Sequence, residues 1–159
     1  MAKKESKTNA VRILEKEGIV FEAIQYESEG FLDGKGVADK IHELYENMYK
    51  TLVSVGRSGN YYVFLIPIVE EIDLKKAAMS VSEKSISMLP LKDLTPITGY
   101  VRGGCTAIGM KKKFPVVIHY TAEMLEKMVV SGGRLGLQIK VKPSDLKKAA
   151  NAIYADVTM

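Results

Sequence analysis

Three stretches of this chain carry residue types and spacings that could do chemistry. The first is Tyr49-Lys50-Thr51-Leu52. A lysine inside a run of strand formers is unusual. If it faces a cleft, its ammonium can hold a phosphate or a carbonyl oxygen; the plain alternative is a solvated lysine on a sheet face. The second is Gly103-Gly104-Cys105-Thr106-Ala107-Ile108-Gly109, followed by Lys111-Lys112-Lys113. Glycines let backbone N–H groups approach a ligand closely, and several such groups together bind an oxyanion. Lysines beside that loop would hold RNA phosphates by charge. Here the alternative is a tight turn with a solvated basic edge. The third is Ser131-Gly132-Gly133-Arg134-x-Gly136, which adds a hydroxyl and a guanidinium to flexible backbone donors. It could equally be a hairpin turn. Two glycine loops and Lys50 in one small chain point to a cleft for an anion or an acyl group.

Other chemistries find little support. His42, Cys105 and His119 lack the paired spacing of zinc ligands. No Walker loop and no Gly-x-Ser-x-Gly elbow occur. Cys105 with His119 as its base is one conceivable nucleophile, but nothing local activates the thiol. A small apolar residue in a tight loop is the favoured reading of Cys105. Neither a metal nor a cofactor is expected.

These residues must be positioned by short elements. A helix is predicted after Thr8 or Asn9 as cap, with Ala10, Val11, Ile13 and Leu14 as its apolar face and Gly18 as its stop. Residues 20–26 read as a strand, 27–36 as a loop holding Phe31, and 37–45 as a helix. Residues 49–55 and 61–66 read as strands joined through Gly56-Arg57-Ser58-Gly59-Asn60, a hairpin signal. Asp73 can cap a short helix through Met79. Residues 86–88 are a strand, 91–95 a helical turn, 116–119 a strand, and 121–127 a helix capped by Thr121. Residues 128–130 and 137–141 are strands. Pro143-Ser144-Asp145 opens a last helix, and 153–157 form a last strand. Strands and helices alternate without a regular βαβ repeat, so a doubly wound parallel sheet is not expected. The expected fold is mixed α/β: a mixed or largely antiparallel sheet flanked by short helices.

Bulk properties agree with one globular domain over residues 1–159, the first six forming a loose polar tail. The chain has 159 residues, 47% hydrophobic and 26% charged. A single cysteine forbids an internal disulfide and suits a reducing compartment. No secretory leader and no membrane span is evident, so a cytoplasmic protein with no membrane partner is expected. The net charge of +4 permits an RNA or phosphate partner without requiring one.

Five segments occur together in order: Tyr49-Lys50-Thr51-Leu52, Asp73-Leu74-Lys75-Lys76-Ala77, Thr98-Gly99-Tyr100-Val101-Arg102-Gly103-Gly104, Gly109-Met110-Lys111-Lys112, and Val130-Ser131-Gly132-Gly133-Arg134-x-Gly136-Leu137. In this order they resemble the YbaK/EbsC family of aminoacyl-tRNA deacylases, relatives of the editing domain inserted in bacterial prolyl-tRNA synthetase. The resemblance runs from about residue 7 to 157. The Gly-Cys-Thr-x-Ile-Gly-Met stretch looks nearer the EbsC branch.

The resemblance implies a barrel-like mixed sheet with surrounding helices. It implies removal of cysteine mischarged onto tRNA(Pro), in trans, with prolyl-tRNA synthetase as a docking partner. A synthetase pocket cannot strongly reject a near-isostere, so a second site clears the error. The substrate's own thiol would attack its ester carbonyl, releasing a cyclic thiolactone and free tRNA, so proximity supplies much of the rate. Among the residues that carry over, Lys50 would orient the substrate or bind the phosphate of the terminal adenosine, with Thr51 as a hydrogen-bonding neighbour. Gly103 or Gly104 would be the oxyanion donor, and Ser131 the serine of the second loop. Tyr26 and Phe31 would meet the substrate, with Gly132 and Gly133 beside them. Arg102, Lys111, Lys112 and Lys113 would hold the tRNA.

Two positions depart from YbaK-like members. Ala107 stands where they have proline, and Gln138 stands where they have an aspartate able to touch the substrate's ammonium. Amino-acid specificity is therefore open. One alternative is clearance of alanine or serine esters by activated water. Others are a tRNA-binding module without catalysis and general nucleic-acid binding.

Overall fold

The computed structural model describes residues 7–28 and 30–159; the expected tail at 1–6 lies outside them. The described residues form five helices and eight strands. They are α1 (Asn9–Lys16), β1 (Phe21–Gln25), α2 (Gly34–Ile41), β2 (Tyr49–Gly56), β3 (Tyr61–Pro67), α3 (Leu74–Ser80), β4 (Ile86–Met88), α4 (Leu91–Thr98), β5 (Val116–His119), β6 (Met128–Ser131), β7 (Leu137–Val141), α5 (Pro143–Ala150) and β8 (Ala152–Ala155). Short 3₁₀ turns cover Tyr45–Asn47 and Tyr120–Met124.

The strands form two sheets, of order β1-β7-β6 and β4-β2-β3-β5-β8. The first is antiparallel throughout. The second is antiparallel at β4-β2-β3 and parallel at β3-β5-β8. The expected mixed sheet with short flanking helices is therefore found. The barrel does not close: one parallel bridge, Met48 to Val129, joins the sheets among the described residues, and no ladder continues from it.

Local chemistry explains the elements. Thr8 caps α1, its hydroxyl accepting the Val11 N–H at 3.2 Å. Asp73 caps α3 through the Lys75 and Lys76 N–H groups. β3 is buried from Tyr62 to Pro67, as its unbroken apolar run demands of a central strand. Its alternation splits the core: Val63 and Leu65 join the cluster between the sheets, while Tyr62, Phe64 and Ile66 pack under α3. A third cluster lies under α2, where Val37 and Ala38 cover Met48 and Val129. Several local expectations differ: the helix expected at 121–127 is only the 3₁₀ turn Tyr120–Met124, α2 covers Gly34–Ile41 rather than 37–45, and β8 covers Ala152–Ala155 rather than 153–157. α4 runs to Thr98 with Pro96 inside it. Thr121 caps nothing; its hydroxyl pairs instead with the Tyr49 OH at 2.7 Å.

Candidate active site

The site lies where the two sheets part. Met48 on the approach to β2 bridges Val129 on β6 in parallel register. Two residues further along each strand stand Lys50 and Ser131, on the same faces as Met48 and Val129. Ser131 is paired with Gln138 on β7, and Gln138 with Ile24 on β1. Tyr26 follows Ile24 by two residues, and its N–H donates to the Gly136 carbonyl at 2.9 Å. Lys50, Ser131, Gln138 and Tyr26 thus share one face of the strand series β2, β6, β7, β1. That face carries the cluster under α2, against which Tyr26 packs.

Lys50 is half-buried, and no described residue gives it a carboxylate or a hydrogen bond. An ammonium taken partly out of water without a partner favours an anion or a carbonyl oxygen brought from outside. Thr51 points to the opposite face of β2, toward Tyr49 and Val53. Its hydroxyl oxygen is sealed from solvent and has no partner among the described residues. Such an orphan costs about 1–3 kcal/mol, and one left in a native fold calls for an explanation such as a functional role. Gln138 is 5% exposed, and its amide makes no hydrogen bond to a described residue.

The two glycine loops meet at their backbones. A Cβ on Gly104 would lie 2.8 Å from the Arg134 Cα, so only glycine allows this approach. Residues 101–104 form a turn in which the Gly104 N–H donates to the Val101 carbonyl at 2.9 Å. Gly103, third in that turn, has φ +83°, as a type II turn requires. Of the two expected oxyanion donors, Gly104 has its N–H committed, whereas no described residue accepts from Gly103. In the second loop the Gly132 N–H donates to the Leu137 carbonyl at 2.9 Å, and the Gly133 N–H to Ser131 Oγ at 3.3 Å.

Phe31 closes the arrangement from outside. The Arg102 guanidinium stacks 4.1 Å from its ring centroid, and the ring remains half exposed beside Gly103. A cleft of about 440 Å³ opens next to it, with Tyr26, Glu27 and Ser28 on one wall and Arg134, Leu135 and Gly136 on the other. Lys112 and Lys113 are exposed without described partners, while the Lys111 ammonium donates to the Pro96 carbonyl at 3.2 Å.

Cys105 and His119 do not form a dyad. Cys105 lies in the core between the sheets, where burial pushes its thiol up to about 11. His119 shares the other face of β5 with Val117, against α3. Its Nδ1 accepts the Val157 N–H at 3.2 Å, its Nε2 pairs with Thr158 Oγ1 at 3.3 Å, and burial pulls its pKa below the usual histidine value. His42 sits apart from both, ending α2 in a left-handed conformation.

Three contributors were not singled out from sequence. Thr8 and Asn9 bond the two glycine loops from the start of α1, through the Gly132 carbonyl at 2.6 Å and the Gly109 carbonyl at 2.8 Å. Tyr100 holds the first loop by donating to the Ile108 carbonyl at 2.6 Å. Tyr100 lay within a recognised segment, but no local signal ties Thr8 to a loop 124 residues away.

Comparison with known proteins identifies the family and the fold. The model of the aminoacyl-tRNA editing domain matches residues 34–149. An Enterococcus faecalis protein, EbsC, is 38% identical over 99% of this chain and 98% of its own length; its name assigns it deacylation of Cys-tRNA(Pro) and Cys-tRNA(Cys). A solved structure described as a trans-editing enzyme for prolyl-tRNA synthetase superposes with a TM-score of 0.83 at 21% identity, covering 97% of this chain and 99% of that one. Another, named only as a hypothetical protein, reaches 0.86 at 17% identity over 95% and 99%. At such identities the two structures speak for the fold. No described helix is long and apolar enough to cross a membrane. By sequence over nearly its whole length, this chain belongs to the aminoacyl-tRNA editing family of YbaK/EbsC-type deacylases.

Proposed function

We propose that this deacylase clears cysteine wrongly esterified to tRNA(Pro), in trans and in the cytoplasm, after a prolyl-tRNA synthetase has made the error. The observation that carries the reading is Lys50: half-buried, without a described partner, and set beside Ser131 where the sheets part. The name of the 38% identical relative supports the same substrate.

The reaction needs no nucleophile from the protein. The substrate's thiol sulfur attacks the ester carbonyl carbon, forming a C–S bond. The C–O bond to the terminal ribose breaks, and the thiol proton ends on the ribose oxygen. The products are a four-membered thiolactone and uncharged tRNA. Sulfur and carbonyl belong to one molecule, so the protein contributes by holding them in attack geometry. The Gly103 N–H, free of other described partners, stabilises the developing oxyanion. Lys50 anchors the acylated end, the Ser131 hydroxyl orients it, and the Gln138 amide oxygen accepts from its ammonium. Phe31 and Arg102 cover the mouth, and Lys112 and Lys113 hold the RNA backbone, with Lys111 contributing at the same edge. A buried Cys105 with its thiol pushed up to about 11 is consistent with a thiol supplied by the substrate.

Single-turnover deacylation of cysteinyl-, alanyl- and seryl-tRNA(Pro) tests this, with wild type and Lys50→Ala. The expected result is clearance of the cysteinyl ester alone, slowed at least tenfold by Lys50→Ala. Equal clearance of all three esters would point to activated water instead. Binding without any clearance would leave only an RNA-binding role.

A further inference from the structure

The start of α1 holds a side chain whose bonds reach well beyond its own helix. Thr8 Oγ1 accepts the Val11 N–H at 3.2 Å and donates to the Gly132 carbonyl at 2.6 Å. That carbonyl belongs to the same rigid peptide unit as the Gly133 N–H. The Gly133 N–H in turn donates to Ser131 Oγ at 3.3 Å. One peptide plane is thus pinned between two hydroxyls, Thr8 on its carbonyl and Ser131 on its amide. The fit is close. A Cβ on Gly133, at φ +106°, would lie 3.1 Å from Thr8 Cβ and 3.3 Å from Tyr100 Cε1. The neighbouring Asn9 pins the other loop, donating to the Gly109 carbonyl at 2.8 Å.

Helix capping accounts for the first of these bonds and not for the second. A cap needs only an acceptor for an N–H of the first turn. The bond to Gly132 uses the hydroxyl as a donor, toward the loop that bears Ser131. It ties the 132–133 peptide, and through the Gly133 N–H the Ser131 hydroxyl, to the start of α1.

We propose that Thr8 is a positioning residue for the deacylation site, acting through the Gly132–Gly133 peptide on Ser131. This rests on the functional reading above. The two roles of Thr8 separate by substitution. Thr8→Ser keeps both acceptor and donor. Thr8→Asp keeps the cap, since aspartate is a favoured capping residue, but its carboxylate cannot donate to the Gly132 carbonyl. Thr8→Val loses both.

The test is single-turnover deacylation of cysteinyl-tRNA(Pro) by the full chain, beside Tm and the amide ¹H–¹⁵N signal of Gly133. Misplacing a reacting group from a distance costs on the order of 10- to 100-fold. Thr8→Ser is expected to match wild type in rate and Gly133 shift. Thr8→Asp is expected to keep a Tm near wild type, to shift the Gly133 signal, and to lose on the order of 10- to 100-fold in single-turnover rate at saturating enzyme, with the half-saturating enzyme concentration little changed. A rate for Thr8→Asp equal to wild type overturns the proposal. So does a rate that follows Tm across the series, with Thr8→Asp active and only Thr8→Val impaired. An inactive wild type would instead refute the functional reading; the Gly133 shift then still reports whether Thr8 sets that peptide.

Discussion

Replacing Gly104 by alanine should harm catalysis more than folding. The added Cβ would stand 2.8 Å from the Arg134 Cα and 2.9 Å from its carbonyl carbon, about 0.6 Å inside the 3.4 Å at which ordinary contact begins. Both atoms are backbone, so no side chain can rotate out of the way. The two glycine loops must move apart by roughly that distance. Overpacking of this kind costs about 1–3 kcal/mol, a fall in Tm of roughly 2–12 °C for a chain of this size. The same displacement separates the Gly103 N–H from Ser131. A shift approaching 1 Å in a preorganised site costs on the order of 100-fold in rate. The assay is single-turnover deacylation of cysteinyl-tRNA(Pro), run well below the variant's Tm. A folded Gly104→Ala protein with wild-type rate would refute the argument that loop contact sets the catalytic geometry.

Two further outcomes follow from buried groups. Cys105→Ala should leave the deacylation rate unchanged, and the native thiol should resist alkylation by iodoacetamide at pH 8, because burial pushes it up to about 11; a collapse in rate without unfolding would make Cys105 the nucleophile. His119 is held below its ordinary value of 6.5, chiefly by burial, so the unfolded chain binds its proton more tightly. Its contribution to stability is full above about pH 6.5 and is lost as pH falls from there through the folded pKa. Urea midpoints should therefore decrease from pH 7.5 to 5.5, and His119→Gln should flatten that trend.

Much of this architecture could be read from local signals. Thr8 and Gly18 bracket α1, Asp73 caps α3, and the hairpin at residues 56–60 joins β2 to β3 because its chemistry is local. The limits of β4, β5 and β7 also follow from short apolar runs. Sheet order was not legible. The parallel neighbours β3, β5 and β8 come from distant parts of the chain, and nothing in a single strand names its partner. The parting of the sheets after Met48–Val129 was hidden for the same reason, so a barrel-like expectation became two sheets joined by a bridge. Within the site, residue types were informative and their bonding was not. The two glycine loops and Lys50 stood out by composition. That the Gly104 N–H is spent in a turn, that Thr51 faces away from Lys50, and that Thr8 reaches Gly132 depend on backbone geometry. Thr121 shows the converse: a residue suited to capping was recruited by Tyr49 from across the fold.

The central claim is that the substrate's sulfur does the chemistry. It is tested most directly by comparing cysteinyl-tRNA(Pro) with 2-aminobutyryl-tRNA(Pro), in which a methyl group replaces the thiol at nearly constant shape. The account predicts rapid single-turnover clearance of the first and a rate for the second no greater than the uncatalysed one, with both competing for the site. Comparable clearance of the two esters would contradict it and require a nucleophile other than the substrate's thiol.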